Sequence, residues 1–157
     1  MNSTAKNAGE AVGANAPAHP AKEGPVIIVD DEPYDALQTE GVVDELQPKF
    51  PVQILNGGEE FVAYLQGEGL YKDRSHYPLP GLVLLDLRMP GMDGFAVLEW
   101  LKAHPEHSEI PIVVLSGFTD MVGEVTRAYG QGAHSFLPKP IQLRDIQSIV
   151  SLLKISI

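Results

Sequence analysis

The sequence of 157 residues contains no cysteine, which excludes disulfide frameworks and thiolate chemistry. It has no apolar run close to the roughly 18 residues that suggest a membrane span. Its N-terminus lacks the charged-then-apolar order of a secretory signal. These absences favour a cytoplasmic protein that makes no membrane contact.

Positive charge is also scarce. The chain carries 11 Lys and Arg residues against 21 Asp and Glu residues, for a formal net charge of −10. Proteins that bind a phosphate backbone present clustered Lys and Arg, and the sequence shows no such cluster. We therefore expect no nucleic-acid partner. The length and the apolar fraction of 44% fit one globular domain.

The first 24 residues are rich in Ala, Asn, Gly and Pro and nearly free of branched apolar side chains. Such a segment cannot bury enough surface to offset the entropy lost on ordering. Residues 1–24 are therefore predicted to be a disordered N-terminal tail, and residues 25–157 to be the folded domain.

From Pro25 onward, short apolar runs alternate with longer segments of mixed polarity. This alternation is typical of a parallel sheet with crossover helices on both faces. Gly and Pro residues separate the segments. Strands are predicted over 26–29, 52–55, 82–85, 112–115 and 135–137, and helices near 34–47, 58–66, 94–103, 120–130 and 142–155.

A long connector, residues 67–81, joins the second predicted helix to the third strand and contains Tyr71, Tyr77, Pro78 and Pro80. Loops of this length are often functional. A packed connector held in place by its aromatic residues is the alternative, and the sequence leaves both open.

Polar residues follow the predicted strands. Asp30 and Asp31 follow the first, Asp86 the third, Ser116 the fourth and Lys139 the fifth. Open α/β sheets bind ligands beyond the carboxyl ends of their strands. We therefore expect these side chains to meet at one edge of one sheet.

The acids of this group suit a Mg²⁺ site, because Mg²⁺ prefers oxygen ligands and usually takes one or two carboxylates with waters and a phosphate oxygen. Asp31 and Asp86 are predicted as direct ligands, and Asp30 as a ligand through a water molecule. The backbone carbonyl of Arg88, two residues past Asp86, completes the predicted set.

Asp86 is also a candidate nucleophile, since a carboxylate held at a strand end can attack phosphorus and form an acyl phosphate. Lys139 offers a compact cation for phosphoryl oxygens, and Ser116 offers a hydroxyl that can rotate toward them. Singly, such residues are commonly helix caps, turn residues or solvated groups. Their combination favours a phosphoryl-transfer site.

Four sequence blocks resemble the receiver domain of two-component response regulators, and the resemblance covers essentially all of residues 25–157. It implies a flavodoxin-like α/β fold, a doubly wound five-stranded parallel sheet in the order 2-1-3-4-5. The blocks are VDDEP at 29–33, LDLRMPGMDG at 85–94, LSG at 115–117 and FLPKP at 136–140.

The resemblance implies that a sensor histidine kinase or a phosphotransfer protein donates a phosphoryl group to Asp86, with Mg²⁺ held by Asp30, Asp31 and Asp86. Ser116 and Lys139 then match the phosphoryl-binding residues of the family.

Two further features follow from the same resemblance. The Lys139–Pro140 peptide bond is expected to be cis. Phe136 occupies the position of an aromatic switch, although an ordinary core aromatic is the alternative there.

One amphipathic helix follows Lys139, with no DNA-binding or enzymatic segment after it. We therefore expect a stand-alone receiver that signals through phosphorylation-dependent binding of a downstream protein, which the sequence does not name. The connector and the 85–98 block look most like receivers found beside bacteriophytochromes. The apolar content of the last helix, up to Ile157, suggests a homodimer.

Two other functions compete with this interpretation. Phosphatases of the dehalogenase type also use an Asp nucleophile with Mg²⁺, but they carry an Asp-x-Asp pair, whereas Leu87 and Arg88 follow Asp86. A degenerate receiver that only binds partners usually lacks one of the acids, the hydroxyl residue or the lysine, whereas all of these are present here. An enzyme is therefore not expected.

Overall fold

The computed structural model describes residues 22–117 and 121–157 of the chain. Its main feature is a five-stranded parallel sheet in the order β3-β2-β4-β5-β6. This order confirms the predicted order 2-1-3-4-5. The strand numbers are higher by one because a short strand of a separate sheet, β1, precedes the first predicted strand. The strands are β1 (Lys22–Glu23), β2 (Val26–Val29), β3 (Gln53–Leu55), β4 (Leu82–Asp86), β5 (Ile112–Ser116), β6 (Ser135–Pro138) and β7 (Ile155–Ser156).

Helices connect consecutive strands of this sheet, as the alternation of the sequence predicts. Two 3₁₀ turns, Gly69–Lys72 and Pro105–His107, follow the second and third helices. The helices are α1 (Pro33–Asp44), α2 (Gly58–Gln66), α3 (Gly94–Lys102), α4 (Met121–Gly130) and α5 (Leu143–Leu152).

The apolar runs form strands because both of their faces are buried. In β2, Ile27 and Val29 pack into one core with residues of α2, α3 and α4, whereas Val26 and Ile28 pack into a second core with residues of α1 and α5. Successive strand residues point to opposite faces, so a strand covered on both sides reads as a continuous apolar run. The molecule therefore has three layers, with the central sheet between two groups of helices.

Each predicted strand is confirmed to within one residue at either end, whereas the first and last helices each end three residues earlier than predicted. After α1, the amide of Gln47 donates to the carbonyl of Asp44, and Gln47 has a φ of 53°. After α5, Lys154 has a φ of 55°. A positive φ interrupts the helical path, so α1 stops at Asp44 and α5 at Leu152.

A second, two-stranded sheet lies outside the prediction. Strand β1 pairs in parallel with β7, and the amide of Gly24 donates to the carbonyl of Ser156 at 3.2 Å. Lys22 and Glu23, which the sequence analysis placed in the tail, therefore belong to a strand. Residues 1–21 of the predicted tail lie outside the described residues.

This pairing also changes the interpretation of the last residues. Ile155 and Ile157 pack into the core between the sheet and α1 and α5, so this part of the apolar C-terminal sequence is buried within the chain. Leu152 is 80% exposed. A homodimer remains a prediction.

The connector over 67–81 is pinned by aromatic residues, as one of the two interpretations predicted. The rings of Tyr64, Tyr71 and Tyr77 pack with centroids 4.9–6.1 Å apart. The Tyr71 hydroxyl donates to Glu60 at 2.6 Å, and the Tyr64 hydroxyl donates to the carbonyl of Pro78 at 2.7 Å. Burial raises the pKa of Tyr64 to about 12, so its hydroxyl stays a donor at neutral pH.

Among residues 22–117 and 121–157, no helix is both long enough and apolar enough to cross a membrane.

The start of α3 lies directly against the end of β4. A Cβ atom at Gly94 would approach the carbonyl oxygen of Asp86 to 2.5 Å and the Cα of Leu87 to 2.7 Å. The side chain of Asp93 caps the helix by accepting from the amide of Ala96 at 2.8 Å. The absence of a side chain at Gly94 therefore allows the helix to support the end of the strand that carries Asp86.

Gly94→Ala is expected to lower the free energy of unfolding by about 1–3 kcal/mol, because the new methyl group meets fixed backbone and the chain must shift. Gly41→Ala in α1 is the matched control, since a Cβ at that position meets open space. The control should raise stability by about 0.5–1 kcal/mol through helix propensity. Urea unfolding measures both variants, and equal effects would contradict the close-approach argument.

Candidate functional site

The sheet brings the predicted polar residues to one edge through its register. Val29 pairs with Leu85, so the residues that follow them, Asp30 and Asp86, are neighbours at the carboxyl ends of β2 and β4. At the end of β5, Leu115 pairs with Asp86 of β4, and Ser116 pairs with Pro138 of β6. Lys139 comes directly after Pro138. The parallel arrangement thus places all five predicted residues at the same edge.

Lys139 lies at the centre of this group. Its ammonium nitrogen is 2.7 Å from Asp30 Oδ2, 3.1 Å from Asp86 Oδ1 and 3.2 Å from Asp35 Oδ2. Asp30 and Asp86 are 2% and 5% exposed. One cation is therefore shared among three carboxylates, two of which are buried.

Asp35 is not among the residues predicted from the sequence. It lies in the first turn of α1, which begins at Pro33 after Glu32 caps the helix by accepting from the amide of Tyr34 at 3.2 Å. An acid at this position is ordinarily explained by the helix dipole. Its spacing of four residues from Asp31 is the signal that could have placed it near the site.

Asp30, Asp31 and Asp86 form the predicted acidic cluster. Each offers one carboxylate oxygen, and these oxygens lie within 4.8 Å of one another. Asp31 is exposed, whereas the other two are buried, so the cluster opens to solvent on one side. Three carboxylates at this separation repel one another, and a divalent cation relieves the repulsion. The oxygen-only donor set and the solvent access fit a hard cation with retained waters.

Burial decides the protonation of the candidate nucleophile. Desolvation raises the pKa of Asp86 to about 6, although the Lys139 charge opposes the shift; the neighbouring Asp30 adds to it. Burial alone would lower the pKa of Lys139, but the hydrogen bond with Asp30 and the charge of Asp86 raise it overall. At neutral pH the pair is therefore an ammonium beside a mostly ionised carboxylate.

Ser116 is fully buried, and its hydroxyl lies 3.1 Å from Glu124 Oε1 on α4 and 3.1 Å from the carbonyl oxygen of Gly117. The second Glu124 oxygen is 3.0 Å from Arg88 Nη2. Glu124 is not among the residues predicted from the sequence. It shares a helix face with Ala128, four residues on and fully buried, which is the signal that could have found it.

The other predicted features are Arg88, Phe136 and the cis bond before Pro140. Arg88 has an exposed side chain, and its backbone amide hydrogen-bonds the Asp86 carboxylate; its carbonyl as a metal ligand stays a prediction. Phe136 is half-buried and packs against the core on the α2, α3 and α4 side. The Lys139–Pro140 bond is cis, as predicted.

A groove of about 350 Å³ opens over the group. It is lined on one side by residues of the β2–α1 turn and on the other by the ends of β4 and β6. The groove therefore gives solvent access to the acids and the ammonium together. Its lining includes Asp31, Asp35, Asp86, Arg88 and Lys139.

The chain belongs to the response regulator receiver domain family, whose family model matches residues 26–151. It is 30% identical over 125 residues to response regulator Rcp1 of Synechocystis sp. (strain ATCC 27184 / PCC 6803 / Kazusa), covering 80% of this chain and 82% of that protein. A shorter match, 38% identical over 71 residues, is to the DNA-binding transcriptional regulator NtrC of Klebsiella pneumoniae. The chain spans only 14% of that longer protein.

Solved structures of the same family show the same fold. The bacteriophytochrome response regulator AtBRR is 30% identical, with a TM-score of 0.70 and coverage of 82% of this chain and 91% of that one. The Mn²⁺-bound form of Rcp1 is also 30% identical, with a TM-score of 0.68 and coverage of 83% and 94%. The resemblance predicted from the motifs is therefore confirmed, including its similarity to phytochrome-associated response regulators.

Millimolar Mg²⁺ is expected to stabilise the protein by binding the native acidic cluster. At ten times the dissociation constant the gain is about 1.4 kcal/mol, or a rise in Tm of about 3–6 °C for a domain of this size. Asp31→Asn should abolish the rise. Asp44→Asn, an exposed acid at the far end of α1, should keep it. A melting curve indifferent to Mg²⁺ in the unmutated protein would contradict a cation site here.

The raised pKa of Asp86 predicts a pH dependence in metal-free protein. Because the folded pKa of about 6 exceeds the unfolded value of 3.8, the contribution of Asp86 to stability is complete below the unfolded pKa and is lost as pH rises through 6. Asp86→Asn removes this loss. Its free energy of unfolding relative to the unmutated protein should therefore increase by about 1–3 kcal/mol between pH 5 and pH 8.

Chemical unfolding in the presence of a chelator measures this difference. Glu99→Gln, which changes an exposed acid on α3, is the control and should leave the pH profile unchanged. A constant offset between Asp86→Asn and the unmutated protein across the range would show that Asp86 titrates normally.

Proposed function

We propose that this chain is a single-domain response regulator whose Asp86 accepts a phosphoryl group from a sensor histidine kinase or a phosphotransfer protein. In its phosphorylated form it binds a downstream protein. The observation that carries the proposal is the position of Asp86, a buried carboxylate at the end of β4 that contacts Lys139 and lies within 4.8 Å of the carboxylates of Asp30 and Asp31.

The transfer is an in-line displacement on phosphorus. A carboxylate oxygen of Asp86 forms a bond to phosphorus, the bond to the donor's imidazole nitrogen breaks, and that nitrogen keeps the electron pair. The product is an acyl phosphate on Asp86. A pKa of about 6 leaves this carboxylate mostly ionised, and thus nucleophilic, at neutral pH. Since Lys139 contacts Oδ1, the two oxygens of Asp86 have different surroundings before the reaction.

Charge is the main obstacle to this step, because the incoming group is anionic and the site already contains several acids. Asp30, Asp31, Asp86 and the carbonyl of Arg88 would hold a Mg²⁺ ion. When bound, Mg²⁺ supplies charge neutralisation for the phosphoryl oxygens. The oxygen-only donor set supports Mg²⁺ as the physiological ion, although the structure of the relative Rcp1 contains Mn²⁺.

Lys139 and Ser116 are proposed to bind the new group. The ammonium of Lys139 already lies 3.1 Å from Asp86 Oδ1, so it can pair with a phosphoryl oxygen once the acyl phosphate has formed. The Ser116 hydroxyl has to rotate from its present partners to reach the same group. Phe136, half-buried beside β5, is the proposed aromatic switch and responds by packing alone, since Phe lacks a hydroxyl.

The comparisons support the wider assignment. Rcp1 is a receiver-sized relative that this chain covers for most of its length, and several similar structures are response regulators of phytochromes. We infer a phytochrome-type sensor kinase as the donor, in the cytoplasm and without a nucleic-acid partner. Turnover of external phosphoesters is not part of the proposal, because no second acid follows Asp86 at the spacing an aspartyl phosphatase uses.

Incubation with acetyl phosphate and Mg²⁺ is expected to add one phosphoryl mass to the intact protein. Asp86→Asn should abolish the addition. Asp93→Asn is the matched control, because Asn caps α3 as well as Asp does and the carboxylate is removed only seven residues from Asp86. Intact-mass spectrometry measures all three proteins. An unmodified parent protein, beside a receiver that is modified under the same conditions, would favour a degenerate receiver that only binds partners.

A further inference from the structure

Glu124 is a buried acid that the phosphoryl-transfer step does not use. It lies on α4, is 8% exposed, and directs its two carboxylate oxygens to two different residues of the site. Oε1 contacts the Ser116 hydroxyl at 3.1 Å, and Oε2 contacts the Arg88 guanidinium at 3.0 Å. Because its carboxylate contacts two residues of the site, Glu124 can influence the site as well as the packing of α4.

The contact with Ser116 has a defined direction. A carboxylate paired with a guanidinium offers only acceptor atoms, so the Ser116 hydroxyl must be the donor in this bond. A serine hydroxyl has one proton. The proton given to Glu124 is therefore unavailable to a phosphoryl oxygen on Asp86, and the two acceptors compete for it.

We propose that Glu124 is a positioning residue that holds the Ser116 hydroxyl in its unphosphorylated orientation and thereby opposes capture of the phosphoryl group. The inference rests on the function proposed above. Phosphorylation of Asp86 has to break the bond between Ser116 and Glu124 before Ser116 can bind the new group. Glu124 thus sets how strongly the site retains its phosphoryl group and links that retention to α4.

The pairing with Arg88 fixes the carboxylate in this place. The Arg88 side chain is 60% exposed and lines the groove above Asp86, so it is the solvent-facing end of the bridge. Loss of Glu124 leaves Arg88 able to pair with water and leaves Ser116 able to donate to the carbonyl of Gly117, 3.1 Å away. Neither group is stranded without a partner, so removal of Glu124 should not unfold the domain.

A double-mutant cycle with Mg²⁺ and beryllium fluoride, a stable mimic of the phosphoryl group on a carboxylate, tests the proposal. Calorimetry gives the dissociation constant for the parent, Glu124→Ala, Ser116→Ala and the double variant. Glu124→Ala should tighten binding by roughly 3- to 10-fold, the range expected when the charged acceptor of the Ser116 proton is replaced by the neutral carbonyl of Gly117. In the Ser116→Ala background the same substitution should change the constant by less than about 2-fold.

Two further variants serve as controls. Glu124→Gln keeps the shape and a neutral acceptor, so it should give a smaller gain than Glu124→Ala; it also tests the proposal if the alanine variant melts early. Glu99→Ala removes an exposed acid of α3 and should leave the constant unchanged.

The outcomes separate this inference from the proposed function. An unchanged or weaker affinity of Glu124→Ala, with normal binding and acetyl phosphate modification of the parent, would overturn the role of Glu124 alone. A gain that persists in the Ser116→Ala background would also overturn it, because Glu124 would then act through charge and not through the hydroxyl. A parent protein that neither binds the mimic nor accepts a phosphoryl group would overturn both proposals.

Discussion

The site depends on one ammonium group shared by carboxylates from different parts of the chain. Lys139 follows β6, Asp30 follows β2, Asp86 ends β4 and Asp35 lies on α1, yet all three acids lie within 3.2 Å of the same nitrogen. Only a sheet that brings these strand ends together can hold this arrangement. It also leaves more negative than positive charge at the edge, which favours the binding of a cation.

The rest of the fold offsets the cost of this charge. Buried carboxylates are desolvated and repel one another. Both effects contribute to the raised pKa of Asp86. The central strands are almost completely covered on both faces by two separate apolar cores. Burial of this kind is the dominant favourable contribution to folding, so the strands tolerate an unfavourable group of acids at their carboxyl ends. Functional sites commonly contain groups that lower the stability of the fold, as these buried acids do.

The strands, and the site residues that directly follow them, could be predicted from the sequence. Runs such as 26–29 and 82–85 are short, apolar and buried on both faces, and the residues that follow them reach one edge because parallel strands share a direction. Asp35 and Glu124 escaped prediction because they lie on helices. The position of a helical side chain depends on how each crossover helix packs on the sheet. The spacing of each acid from a neighbouring residue is a signal, but it does not by itself give that packing.

The small sheet was missed for a related reason. Strands β1 and β7 have two residues each, too few to show an alternation of apolar and polar side chains. Their pairing depends on the turn at Lys154, where a positive φ stops α5 and redirects the chain. The apolar residues at 155 and 157 then read as an extension of the helix, although they pack beneath it in the α1 and α5 core.

Strand β5 and helix α4 differ in how firmly they are packed, and this difference bears on which of them would respond to a change at Asp86. Strand β5 carries Ser116, pairs with β4 on one edge and β6 on the other, and is buried along its whole length. A strand held on every side cannot shift when its serine changes partner, because close-packed interiors resist continuous deformation. Under the proposed function, the Ser116 side chain would therefore rotate, and its present partner Glu124 would adjust.

That partner lies on α4, whose described contacts with the site are a hydrogen bond and an ion pair. Glu124 bridges Ser116 and Arg88, and the guanidinium of Arg127 lies 3.9 Å from the centre of the Phe95 ring. Exchanging a hydrogen bond or a cation–π contact costs less than opening an apolar core. Under the proposed function, phosphorylation would therefore be registered first in the position of α4, while the sheet that builds the site stays in place.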